Sequence, residues 1–331
     1  MSDYYYDSAR VRTLEKSLVG RERIEQLLQA KDTDELIVRL GEYGIHPITD
    51  ASGRLLREET LLQILRDAYA VLREAIEDDA VLRLWLYPYD CNNVKAAIKC
   101  NSRKIDPRSM MFDFGTVDVE TVVRMAQTND FSALPPAMCA AANAAVDAFA
   151  KSRDPQLIDL YLDRACYADM LSAADSSGDP FAKALVREKI DLTNLLTLVR
   201  VLRMRSGEAG GMLLRDALIG GGTLSAHAMT QLYSLGEDAV WEQIRRSERY
   251  EGLARMLDAT ERSLTDVERC VDNFLMAHIR DAKWVASGAE VLIGFLLAHE
   301  YEVRNLRILF AGKEAGLPIE IIRERIRESY V

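Results

Sequence analysis

Apolar residues recur with helical spacing in nearly every long segment of the chain. In "DLTNLLTLVRVL", residues 191–202, leucine and valine stand at i, i+3, i+4, i+7 and i+10, counted from Leu192. This spacing places them on one face of an α-helix. Alternation with period 2, which is typical of half-buried strands, is almost absent. Glycine- and proline-containing turns separate the periodic segments, so the sequence predicts an all-α fold of about fifteen helices joined by short loops.

A short polar pattern recurs three times within these helical segments. Each copy has an acidic residue, an asparagine three positions later and then an apolar residue. The copies are spaced by 101 and 111 residues. The acid–asparagine pairs are Asp90 with Asn93, Asp191 with Asn194, and Glu302 with Asn305.

A second segment upstream of each pair also recurs, with similar spacings of 98 and 107 residues. It aligns "VGRERIEQL" from Val19, "VDVETVVRM" from Val117 and "LSAHAMTQL" from Leu224. A Gly-Thr step precedes the second and third copies, and we expect its hydroxyl to cap the following helix. The two recurring segments predict three tandem helical units with approximate boundaries 1–106, 107–207 and 208–331.

The length of the repeat distinguishes these units from solenoid repeats of about 34–47 residues. A unit of about 100 residues holds four or five helices and forms a lobe in its own right. Three similar lobes in one chain predict a pseudo-threefold funnel that encloses an axial cavity.

The repeated acid and asparagine permit two interpretations. Residues three apart lie on one face of a helix, so each pair projects beside the apolar stripe. Asparagine is a mediocre helix former, and in a buried helix its amide usually bridges to a neighbouring group. The pairs are therefore either a polar ligand site in each lobe or hydrogen-bonded clasps that fix how each lobe folds.

Each pair is followed by a stretch that contains basic residues and no acidic residue. The three stretches end at Lys104, Arg205 and Lys313. One explanation is that cations near helix C-termini are favoured by the macrodipole, by about 0.3–1 kcal/mol each. The other is that these tails line a socket for an acidic partner. The candidate socket residues are Lys99, Arg200, Arg203 and Arg307.

Composition and charge exclude several classes of function. The 331 residues carry a formal net charge of -10, which argues against nucleic acid as the principal partner. The five cysteines are scattered without a CxxC pair, so we expect free thiols. The longest apolar run, residues 291–298, is too short to span a bilayer, and the start lacks the features of a signal peptide.

Motifs of catalysis and cofactor binding are also missing from the sequence. The glycine runs at 207–211 and 220–222 lack the lysine and hydroxyl of a phosphate loop. The four histidines have no metal-ligand spacing, and no nucleophile elbow is present. The sequence therefore predicts no catalytic, cofactor-binding or metal-binding residues.

Four stretches spread along the chain carry a family resemblance. They are "YDSARVRTLEKSLV" from Tyr6, "DPQLIDLYLD" from Asp154, "KIDLTNLLTLVR" from Lys189 and "EYEVRNLRILFAGKEAGLP" from Glu300. In these stretches the sequence resembles the C subunit of archaeal and bacterial V/A-type rotary ATPases, equivalent to the d subunit of the eukaryotic V-ATPase. One departure is the tyrosine-rich start at Tyr4–Tyr6.

The resemblance implies a non-catalytic rotor subunit of the central stalk. Its broad end would sit on the cytoplasmic face of the membrane-embedded proteolipid ring, without inserting into the membrane. Its cavity would receive the D and F subunits of the central shaft, so that ring rotation is coupled to ATP synthesis or hydrolysis with proton or sodium transport. An alternative interpretation is a free-standing helical adaptor that binds a cytosolic protein.

Overall fold

A computed structural model describes residues 4–78, 80–204 and 207–331 of the chain. The model is 76% helical and has no β-strand within the described residues, where Thr49 and Leu55 form an isolated antiparallel bridge. The prediction of an all-α fold is therefore confirmed.

The chain divides into two compact units. The first comprises residues up to 76 together with 249–331, and the second comprises 77–248. The boundary between residues 76 and 77 falls inside helix α5. This division into two units does not test the three predicted repeats, which stay a prediction. The first unit contains α1 (Tyr5–Leu14), α2 (Arg21–Leu28), α3 (Thr33–Glu42), α4 (Arg57–Val71), most of α5 (Arg73–Asp78), α15 (Glu251–Asp258), α16 (Leu264–Arg280), α17 (Ala289–Glu314) and α18 (Ile319–Arg325).

The second unit is built from nine further helices in the described part of the chain. They are α6 (Ala80–Arg83), α7 (Tyr87–Arg103), α8 (Val119–Thr128), α9 (Pro136–Ser152), α10 (Gln156–Ser177), α11 (Pro180–Met204), α12 (Gly207–Ala217), α13 (Ala226–Leu235) and α14 (Glu237–Arg246).

Helix α17 forms the centre of the first unit. The run 291–298 in its N-terminal half is apolar on every side and entirely buried. A helix that is hydrophobic all round must be enclosed by other elements. Here α1, α2, α3, α4, α16 and α18 contact it. The long apolar run is thus a core helix, and none of the described helices is both long and apolar enough to cross a membrane.

Helix α10 has the corresponding role in the second unit, where it contacts α7, α9 and α11. Two ion pairs tie it to α7: Lys95 pairs with Asp163, and Lys99 Nζ lies 2.5 Å from Asp159 Oδ1. The lysines and the aspartates are each four residues apart and pair in reverse order. This order is that of two antiparallel helices and fixes their register.

Candidate functional site

Each repeated asparagine pairs with the backbone of one residue in a segment that returns to its helix. The amide Nδ2 donates to the carbonyl of that residue, and Oδ1 accepts from its N–H, with distances of 2.8–3.0 Å. All three asparagines are buried. An amide side chain both donates and accepts, so it satisfies both backbone groups at once. The pairs are Asn93 with Phe112, Asn194 with Ile219, and Asn305 with Arg327.

The acid of the first pair holds the same loop a few residues further on. Asp90 Oδ1 accepts from the Val117 N–H at 3.1 Å. Asp90 Oδ2 accepts from the N–H of Thr116 at 3.1 Å and from its hydroxyl at 2.5 Å. Burial raises the pKa of Asp90 to about 6, while these hydrogen bonds act in the opposite direction. We call an acid and the loop residues that donate to it an acid–loop joint.

The second acid–loop joint repeats the first, donor for donor. Asp191 accepts from the Leu224 N–H and the Thr223 N–H, each at 3.0 Å, and also from the Thr223 hydroxyl. Val117 and Leu224 are the residues that the sequence register aligns. The two joints are therefore equivalent in structure as well as in sequence.

The threonine of the Gly-Thr step is not a helix cap, so that expectation was wrong. Asp118 caps α8 by accepting from Thr121 N, and Ser225 caps α13 by accepting from Ala228 N. The threonine hydroxyl instead turns back to the acid of the preceding helix. Asp118 and Ser225 stand two residues after the threonines, and Asp and Ser are N-cap residues at least as good as Thr.

The glycine of the same step allows the loop to approach the acid. A Cβ on Gly115 would lie 2.3 Å from Asp90 Oδ1, and one on Gly222 would lie 2.2 Å from Asp191 Oδ1. Neither distance is sterically possible for a fixed carboxylate. Glycine is thus required by close packing in both joints.

The third acid–loop joint, in the first unit, is built differently. Glu302 and Val19 line the same small cavity, and the Val19 N–H acts to lower the pKa of Glu302. Val19 is the residue that aligns with Val117 and Leu224. Leu18 stands where the other joints have threonine, so no hydroxyl is supplied. Glu302 Oε2 is buried without a hydrogen-bond partner, and burial raises the pKa of Glu302 to about 8.

The asparagine and the acid of α17 hold two different parts of the chain. Asn305 pairs with Arg327, which follows α18, whereas Glu302 holds Val19, which precedes α2. These two parts meet, since the Arg21 N–H donates to Val331 O at 3.1 Å. Together they take the place of the single loop found at the other two joints.

Intramolecular ion pairs hold the candidate socket residues Lys99, Arg203 and Arg307. Their side chains are 28–45% exposed, and exposed pairs contribute only about 0–1 kcal/mol each. Arg200 is exposed on α11, one turn before Arg203. Arg205 lies outside the described residues. The pairs are Lys99 with Asp159, Arg203 with Glu237, and Arg307 with Glu58.

The acidic partners of these cations were not identified from the sequence. For Lys99 a signal was present, because two lysines four apart match two aspartates four apart in reverse order. Glu237 and Glu58 give no such signal. Among the described residues, no group of three or more histidine, cysteine or acidic side chains is placed to hold a metal ion.

A family model described as ATP synthase (C/AC39) subunit matches residues 8–325. The chain belongs to this family. It is 24% identical to the C subunit of the V-type sodium ATPase of Enterococcus hirae, over 99% of both chains. It is also 22% identical to the C subunit of the A-type ATP synthase of Thermococcus onnurineus and 23% identical to that of Methanosarcina mazei. These matches cover 98% of this chain and 90% and 93% of the relatives.

For this C/AC39 chain, we expect Asn194→Ala to lower the free energy of unfolding by about 2–4 kcal/mol. The substitution leaves the buried N–H and C=O of Ile219 without partners, and each unsatisfied group costs about 1–3 kcal/mol. Urea unfolding followed by circular dichroism measures the change. Asn143→Ala is the matched control, since Asn143 is exposed on α9 and bonds only within its helix. Equal midpoints for the two variants would contradict the expectation.

We also expect Gly222→Ala to destabilise the protein by about 1–3 kcal/mol, the usual range for overpacking. The new methyl group would collide with Asp191 Oδ1 and push the loop off its joint. Gly41→Ala is the control, because a Cβ there meets nothing within 4 Å and alanine favours the helix α3. Thermal unfolding should shift down for the first variant and not for the second. A Gly222→Ala protein as stable as the parent would show that the loop is not held at this distance.

Proposed function

We propose that this chain is a non-catalytic rotor subunit in the central stalk of a V/A-type rotary ATPase. In this role it couples the membrane proteolipid ring to the D and F subunits of the central shaft, for ATP-linked proton or sodium transport. The observation that carries the proposal is the family match over residues 8–325, together with relatives named as C subunits of such ATPases over nearly their whole length.

The contacts of the three acid–asparagine pairs support a mechanical role. A rotor part must transmit torque without yielding, and close-packed interiors transmit strain. At each pair a side chain of a long helix is hydrogen-bonded to loop backbone, so the loops are fixed to the helices by directional bonds. Because all three asparagines hold loop backbone in the same way, they also support three related lobes arranged as a pseudo-threefold funnel with an axial cavity.

The site of action follows from the same proposal. In the rotor role, contact with the membrane is made through the proteolipid ring. We place the protein at the cytoplasmic face of that ring. The shaft then enters the axial cavity from the opposite side.

The candidate socket residues Lys99, Arg200, Arg203 and Arg307 belong to this proposal. Lys99, Arg203 and Arg307 enter it as members of ion pairs rather than as isolated cations. Arg203 Nε lies 3.0 Å from Glu237, and Arg307 Nη2 lies 2.9 Å from Glu58. An acidic shaft surface would compete with these glutamates for the arginines. Such exchange costs little, because an exposed ion pair is weak.

We expect the chain to form a stable complex with the D and F subunits from the same source in size-exclusion chromatography. Arg203→Glu should weaken that complex in a pull-down, because it places a second negative charge beside Glu237 in the socket. The double variant with Glu237→Arg restores the internal ion pair with its polarity reversed. If the shaft subunits bind the positive charge of Arg203 directly, the double variant should still bind them weakly in the pull-down.

Two controls separate partner binding from folding. Arg108→Glu reverses an exposed arginine that pairs with Asp106 and Glu120, outside the candidate socket, and should leave the complex intact. Arg200→Glu tests the neighbouring position. Unchanged binding after charge reversal at both Arg200 and Arg203 would remove these residues from the socket. No association with D and F at several salt concentrations would instead favour the adaptor.

A further inference from the structure

The third acid–loop joint has a chemical feature that the other two lack. Asp90 and Asp191 each accept hydrogen bonds from two backbone N–H groups and from a threonine hydroxyl. Beside Glu302 the Val19 N–H favours the charged form, but the Oε2 atom of Glu302 is buried without a hydrogen-bond partner. A carboxylate in that position would carry uncompensated charge in the protein interior, which is far costlier than a neutral carboxyl group.

The surroundings of Glu302 leave little room for another donor. Glu302 lines a very small cavity together with Leu18, Val19, Ala298 and residues 329–331. Arg23 is close enough to favour the charged form, but its guanidinium bonds the carbonyls of Lys16, Ser17 and Leu18. This arginine is therefore held away from the carboxyl group.

The other titratable groups around the cavity do not supply the missing charge. Glu15 pairs with Arg12 at 2.7 Å, so the two charges offset each other. Burial raises the pKa of Tyr330 to about 12 and lowers that of His299, one turn earlier on α17, to about 4. Both are consequently neutral between pH 5 and 9. Val331 accepts the Arg21 N–H, and Lys16 and Glu22 line the adjoining surface.

We propose that this joint is a proton-linked latch, in which Glu302 holds a proton while the segment around Val19 is seated on α17 and loses it to solvent when the segment leaves. The inference concerns the closure of the first unit and does not rest on the proposed function. It predicts that seating of the segment depends on pH around neutrality.

The sign of the dependence follows from proton linkage. Burial raises the pKa of Glu302 from 4.5 to about 8 in the seated state, so this state binds the extra proton between these values. The stabilisation is fully present below about pH 4.5 and is lost as the pH rises toward 8. Within that window, the equilibrium constant for opening rises about tenfold per pH unit.

Amide hydrogen exchange of the full chain tests the latch. After correction for the intrinsic rate, protection of the Val19 N–H should fall about 25-fold between pH 6 and 7.5. The Ile219 N–H is the internal reference, because it is held by the non-titrating amide of Asn194. Glu302→Gln keeps a carbonyl acceptor but carries no titrating proton, and its Val19 protection should be flat over the same range.

Leu18→Thr is a second variant, which supplies the hydroxyl that the other two joints have. By bonding the carboxylate it should reduce the slope at Val19. It also keeps the test decisive if Glu302→Gln fails to fold. Parallel protection of Val19 and Ile219 in the parent protein, or an unchanged slope in Glu302→Gln or in Leu18→Thr, would overturn the proposal.

Discussion

Buried loop backbone must find hydrogen-bond partners, and in this protein the long helices α7, α11 and α17 provide them. The N–H and C=O groups of Ile219 are buried where Asn194 holds them, and the bonds of Asn93 to Phe112 and of Asn305 to Arg327 are partly buried. Each bond lost would therefore remove the partner of a buried or partly buried polar group. Apolar packing gives most of the driving force for folding but has no direction. The register between loop and helix therefore depends on these few polar side chains.

The sequence was informative where the physical signal is local or repeated. Helical periodicity is local, so the all-α fold follows from it. The six acid and asparagine positions were visible because the pattern occurs three times on the same helical face. Which backbone groups they hold was not visible, since Asn93 and Phe112 are 19 residues apart and nothing in the loop marks the pairing.

Other features escaped because two physical solutions competed. A threonine before a helix is a good N-cap, and only the structure shows that Asp118 and Ser225 cap instead and free the hydroxyl for the joint. The requirement for Gly115 and Gly222 comes from a carboxylate that the fold brings close to them. Surface ion pairs such as Arg307 with Glu58 join distant parts of the chain, and nothing in the sequence indicates which acid pairs with which arginine.

The exchange of Asp and Thr for Glu and Leu in the third joint is consistent with its position. Here the loop is replaced by two parts of the chain, and Glu302 has one more methylene with which to reach Val19. Holding together segments so distant in sequence costs more chain entropy than closing a local loop. The joint meets that cost with fewer hydrogen bonds than its counterparts and with a carboxyl group that favours its neutral form. Closure of the first unit is therefore the step at which the repeated design is weakest and at which a single proton has the most influence.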